Sequence, residues 1–118
     1  MDYLNKEHEE RFYKLMGEDN TEVCDRERQS LLYILAGNRD LYQKKNGIYD
    51  VKNHSIIPCL TKGGLKIDLS GGAKALVKLG FNLYNGTNQK DADICDIFYN
   101  LDEDNRRLAL NAIKIRFM

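Results

Sequence analysis

The sequence predicts an all-α fold: a compact bundle of five or six short helices in one domain, 1–118. Three observations point there. Residues 70–86, SGGAKALVKLGFNLYNG, have a capping serine at one end and a glycine stop at the other. Between them Ala73, Leu76, Val77, Gly80, Phe81 and Tyr84 recur at helical spacing, and Leu79 and Leu83 widen the apolar surface. Only Lys74, Lys78 and Asn82 form a polar line, so this helix, about 71–85, is expected to be buried at the centre of the bundle. Finally, the 118 residues include one proline and are 42% hydrophobic, the composition of a folded globule.

The other elements follow in order. A first helix starts after Asn5 and stops near Gly17. Glu7, Glu9 and Glu10 sit in its early turns, where the helix dipole favours anions, and Phe12, Leu15 and Met16 form its inner side. Asp25 caps a second helix running to Ala36, with Gly37 as the stop; its second half, SLLYILAG, is uncharged and reads as core. Asn38 caps a shorter helix, RDLYQKK, ending at Asn46-Gly47. Residues 48–69, with Pro58, Gly63 and Gly64, are the least regular. They have room for a minor β-hairpin, around HSII and LKIDL, although two short strands alone are marginal. A polar loop, GTNQKDA, leads to a short helix around Ile94, Ile97 and Phe98. The last helix starts near Asp102 and carries Leu108, Leu110, Ala112, Ile113 and Ile115, with Arg107, Asn111 and Lys114 as its wet line.

Charge excludes two simple functions. With 18 basic and 18 acidic residues the chain is neither a basic wrapper of phosphate backbones nor an acidic mimic of nucleic acid. The charge is unevenly spread. Residues 1–30 hold 5 basic and 9 acidic side chains, residues 31–80 hold 8 and 3, and residues 81–118 hold 5 and 6. The basic middle suits an acidic partner, or is simply solvated lysine on helix backs. The uncharged runs are too short to span a bilayer, so no membrane role is expected. The opening MDYLNKEHEERF lacks a signal-peptide core, and Cys24, Cys59 and Cys95 are widely spaced. A cytoplasmic protein with reduced thiols is the expectation.

Each candidate site has a plain alternative. The turn Ser70, Gly71, Gly72, Ala73 and Lys74 has the ingredients of an anion site, namely free N–H groups, close approach and a lysine. It lacks the spacing of a phosphate loop, and capping with tight packing explains it as well. Arg28, in the run Asp25-Arg26-Glu27-Arg28, must be paired if it shares a face with Leu31, Leu32 and Leu35. His8, His54 and the three cysteines are the only soft metal ligands, and their spacing predicts no metal site and no cofactor. A nucleophilic group of Cys59, His54 and Asp50 has nothing local to order it. Asp91, Asp93 and Asp96 fail the calcium-loop pattern, with Asp96 where glycine belongs. Helices two and three, joined by Ala36-Gly37-Asn38, have the outline of a helix-turn-helix facing DNA with Arg39, Gln43, Lys44 and Lys45.

The segments DRERQSLLYILAGNRDLY, IYD, LSGGAKALVKLGFNLYNG and FYNLDEDNRRLALNAIKIRF together resemble a small family of uncharacterised proteins of Firmicute bacteria, their phages and mobile elements. The resemblance brings no activity and no catalytic residues. It implies a small cytosolic accessory that binds a host or element-encoded protein, in some cases to block host defence. The leading expectation is therefore a non-enzymatic protein-binding accessory, an inhibitor or regulator of a host protein. Its contact surface would draw on Arg26, Arg28, Arg39, Lys44, Lys45 and Lys78. One alternative is a nucleic-acid-binding regulator using Arg39, Lys44, Lys45, Lys74 and Lys78. Another is a small ligand-binder or enzyme at the Ser70–Lys74 turn.

Overall fold

A computed structural model describes residues 1–60 and 67–118. Among them are six α-helices: α1 (Lys6–Asp19), α2 (Arg26–Gly37), α3 (Arg39–Gln43), α4 (Gly71–Asn85), α5 (Ile94–Tyr99) and α6 (Glu103–Phe117). The predicted helices are all present, with their ends where local chemistry sets them. Asn5, Asp25, Asn38, Ser70 and Asp102 each accept a backbone N–H at the start of the following helix. Gly86, at φ 77°, closes α4 as expected. α1 passes Gly17 by two residues, because it is Asn20, at φ 58°, that supplies the left-handed stop. α3 is shorter than RDLYQKK; a 3₁₀ turn over Lys45–Gly47 takes up the remainder.

The expected hairpin is present in small form. β1 (Tyr49–Asp50) pairs antiparallel with β2 (Ser55–Ile56). The HSII segment is thus one strand, but its partner is Tyr49–Asp50. The LKIDL segment lies partly outside the described residues, and its residues 67–69 form no strand.

α4 is buried as predicted, with Ala73, Ala75, Leu76, Val77, Leu79, Gly80, Phe81 and Leu83 removed from solvent. It shares the centre with α2, which packs against α1, α4 and α6. Every residue from Leu31 to Ala36 is fully buried. Two glycines allow this crowding. A Cβ on Gly80 would lie 2.8 Å from Leu31 Cδ1. A Cβ on Gly37 would lie 2.2 Å from Leu108 Cδ1 and 3.0 Å from the His8 ring, so α1, α2 and α6 all meet at that glycine.

Polar bonds fix how the helices meet. Arg11 Nε donates to the Ala36 carbonyl (2.7 Å) in the last turn of α2, and Arg116 Nε to the Leu83 carbonyl (2.9 Å) in the last turn of α4. Both cations satisfy a carbonyl near a helix C-terminus, where the dipole also favours them. His8 is fully buried between α1 and α2. The Leu4 N–H donates to its Nδ1 (3.1 Å) and its Nε2 donates to the Tyr33 carbonyl (3.0 Å), an arrangement that requires the neutral ring. Burial, the largest cause, pushes its pKa down to about 4.

Two outcomes follow. Gly37→Ala forces Leu108 or His8 aside and is expected to cost about 2 kcal/mol by urea denaturation. For His8 the folded pKa lies below the unfolded value, so the unfolded chain takes up the proton first. Its stabilising share is complete above about pH 6.5 and is lost as pH falls toward 4, a loss of about 3 kcal/mol in total. Denaturation across that window is expected to show the slope in the native protein and a flatter profile in His8→Gln.

Candidate functional site

Three places concentrate chemistry: a buried carboxylate, the start of α4, and the outer face of α6. The carboxylate is Asp19, the last residue of α1, and its side chain is wholly buried. Tyr49 Oη donates to Oδ1 (2.8 Å), His54 Nδ1 to the same oxygen (2.8 Å), and Thr21 Oγ1 to Oδ2 (2.5 Å). Arg28 Nη1 stands 3.6 Å from Oδ2 while its Nε pairs with Asp25 at 3.1 Å. Arg28 is thus the paired, partly buried arginine that its place beside Leu31 and Leu35 requires. His54 sits at φ 53°, a left-handed conformation uncommon for a non-glycine residue, and its carbonyl accepts from Tyr84 Oη. Burial and the adjoining Asp19 raise the Tyr49 pKa, so this phenol stays protonated and donating.

This arrangement is a knot that fastens the hairpin to the α1–α2 corner and to α4. It also takes apart the group of Cys59, His54 and Asp50. His54 turns to Asp19. Asp50 is occupied by Asn53, whose side chain donates at 2.7 Å, and by the backbone of Lys52 and Asn53; those bonds lower its pKa. The Cys59 thiol is buried, and burial raises its pKa, opposite to what a nucleophilic thiolate needs. Nothing in the spacing announces the knot, since Tyr49 and His54 are 30 and 35 residues from Asp19.

At the start of α4, Ser70 Oγ accepts from the Ala73 N–H (3.2 Å). A Cβ on Gly72 would lie 3.2 Å from the Asn100 carbonyl oxygen, so this glycine serves close packing. A depression of about 170 Å³ does exist there, lined by Gly71, Lys74 and Lys78 but equally by Asp91 and Asp96. Two carboxylates beside two ammonium groups offset the field an anion would need.

The predicted basic positions disperse. Lys44 is held by Asp40 (3.0 Å) and by the Asp68 carbonyl, and Lys45 lies over the Tyr42 ring at 4.4 Å. Arg39 is exposed. The five-residue α3 carries its buried Leu41 inward, and Asn38 bonds Asn105 of α6 (3.3 Å). Of the six residues expected on a contact surface, Arg26 alone lines a depression with exposed apolar neighbours.

That depression belongs to a trough along α6. Leu108, Ala109 and Ala112 pack inward. On the other side Arg107, Leu110, Asn111, Ile113 and Lys114 line, with Asp2 and Tyr3, a hollow of about 530 Å³. It continues through Met1 and Ile115 into a second hollow of about 340 Å³ bounded by Val23, Arg26, Gln29 and Met118. Leu110 is 52% exposed, Val23 89% and Met118 85%. The segment Met1–Tyr3 is held there by Tyr33 Oη, which donates to the Asp2 carbonyl. Tyr3 is half-buried against His8, Phe12 and Tyr33, whereas Tyr13 and Tyr99 are exposed. Grouping Leu110 with Leu108 as core hides this face in the sequence; residues two apart on a helix cannot look the same way.

Fold and site therefore define a mainly α-helical domain with an open, partly apolar trough along α6 that is edged with cations. A family model described as a family of unknown function (DUF6075) matches residues 1–118, and the chain belongs to that family. No curated protein and no solved structure matches it. No described helix is long and apolar enough to cross a membrane.

Asp19→Ala is expected to cost about 3 kcal/mol, since it leaves the buried Tyr49 phenol without its acceptor and removes one of the two carboxylates beside Arg28. Urea denaturation measures it, and loss of hydrogen-exchange protection is expected first across the hairpin.

Proposed function

We propose that this protein is a non-enzymatic protein-binding accessory of the cytoplasm, acting as an inhibitor or regulator of a host or mobile-element protein. The phage and mobile-element setting rests on the sequence resemblance. The observation that carries the binding role is the trough along α6. Isolated apolar side chains on a surface are ordinary, but contiguous ones rimmed by charge mark contact sites. Here Met1, Val23, Leu110 and Met118 are all more than half exposed around one channel, with Arg26, Arg107 and Lys114 at its edge. The geometry offers less to the rival readings. Lys44 and Lys45 are engaged within the fold, and Lys74 and Lys78 share their depression with Asp91 and Asp96.

Leu110→Glu places a charge in the larger hollow of the trough, at a side chain that is 52% exposed. In affinity capture from host lysate, one or more proteins retained by the native chain are expected to be lost with Leu110→Glu and kept with Lys90→Glu, an exposed loop position. Circular dichroism establishes that both variants are folded. Identical capture by all three, or none by the native chain, counts against the reading.

A further inference from the structure

We infer that the trough accepts one amphipathic helical segment of a partner protein, about three turns long, apolar on one face and acidic on its flanks. This rests on the protein-binding reading above and names what the site holds.

The shape gives the length. Arg107, Asn111, Lys114 and Met118 succeed one another at intervals of four, three and four, with Leu110 beside Asn111, along the open side of a helix whose reverse is buried. From the first to the last is about 16 Å at 1.5 Å per residue, the span of a three-turn helix laid alongside. The hollows are one channel: Lys114 borders all three, and Met1, Asp2, Asn111 and Ile115 each border two. An elongated channel with apolar side chains such as Leu110, Ile113, Ile115 and Met118 along it suits the helix-in-groove mode, in which the incoming helix supplies the regularly spaced anchors.

Charge gives the chemistry of the flanks. Three cations, Arg26, Arg107 and Lys114, edge the channel against one carboxylate, Asp2. Arg26 and Lys114 have no carboxylate partner among the described residues, and Arg107 reaches Asp104 only at 3.9 Å. Their charge is therefore available to an incoming acid. The same cations oppose a second copy of this chain. A two-fold contact through this face sets a patch with three cationic side chains and one acidic side chain against its own copy, like charge against like.

The test uses the full chain and three synthetic 15-residue peptides, with binding followed by amide NMR shifts. One has leucines at helical spacing flanked by glutamates, the second the same leucines flanked by lysines, and the third the glutamates with serine for leucine. The first is expected to bind, to shift Leu110, Lys114 and Met118, and to bind at least about tenfold more tightly than the other two. Lys114→Glu is expected to reverse the preference between the first two. Equal binding of all three, no binding, or shifts confined to other surfaces overturns the inference. Concentration-dependent shifts at these residues without peptide also overturn it, by making a second copy the occupant. If the peptides fail while lysate capture still depends on Leu110, the acidic helix is wrong and the protein-binding reading stands. If capture is also indifferent to Leu110, both fall.

Discussion

The enclosure of α2 is the constraint on which the rest of the molecule depends. From Leu31 to Ala36 every side chain is cut off from water, whichever way it points. A helix buried all round must be surrounded, and α1, α4 and α6 close around it. Burial is non-directional and would tolerate many arrangements of three neighbours. The directional groups select among them. His8 and Arg11 both donate to carbonyls of α2, and so set the rotation and height of α1 against it. Arg116 does the same for α6 against the end of α4, and also approaches Glu27 at 3.6 Å.

Much of this architecture is legible in the residues. The caps Asn5, Asp25, Asn38, Ser70 and Asp102 act through backbone atoms three residues away, so local sequence suffices to find them. The apolar faces of α2 and α4 are equally local. What escapes is whatever depends on distant parts meeting. His8 reads as a stray imidazole until Tyr33 and Leu4 are placed beside it, and Asp19 reads as one acid among many at a helix end. The hairpin partner of Ser55–Ile56 is a similar case, since pairing for so short a strand is settled by the surface beneath it.

The site divides the same way. The Ser70 turn and its lysines are conspicuous in the sequence, yet their surroundings supply Asp91, from the loop after α4, and Asp96, from α5, whose positions no spacing reveals. The α6 trough is visible in principle, because its stripe is a plain helical period. It is overlooked because Leu110, counted as apolar, is assigned inward with Leu108 and Ala112, whereas it is 52% exposed; Ile115 does pack on the core from the border of the trough. The inward side of α6 packs against α2 and α4, and its wet line, with Leu110 beside it, borders the open channel.

The glycines at 37 and 80 carry a consequence for how this chain can change over evolutionary time. Each stands where a packed leucine side chain leaves no room for one further carbon, so replacement there is eased by a matching loss of bulk at Leu108 or Leu31 in the same lineage. The outward stripe of α6 meets no such wall. Divergence can rewrite that stripe residue by residue, while change at either glycine has to move a packed neighbour as well.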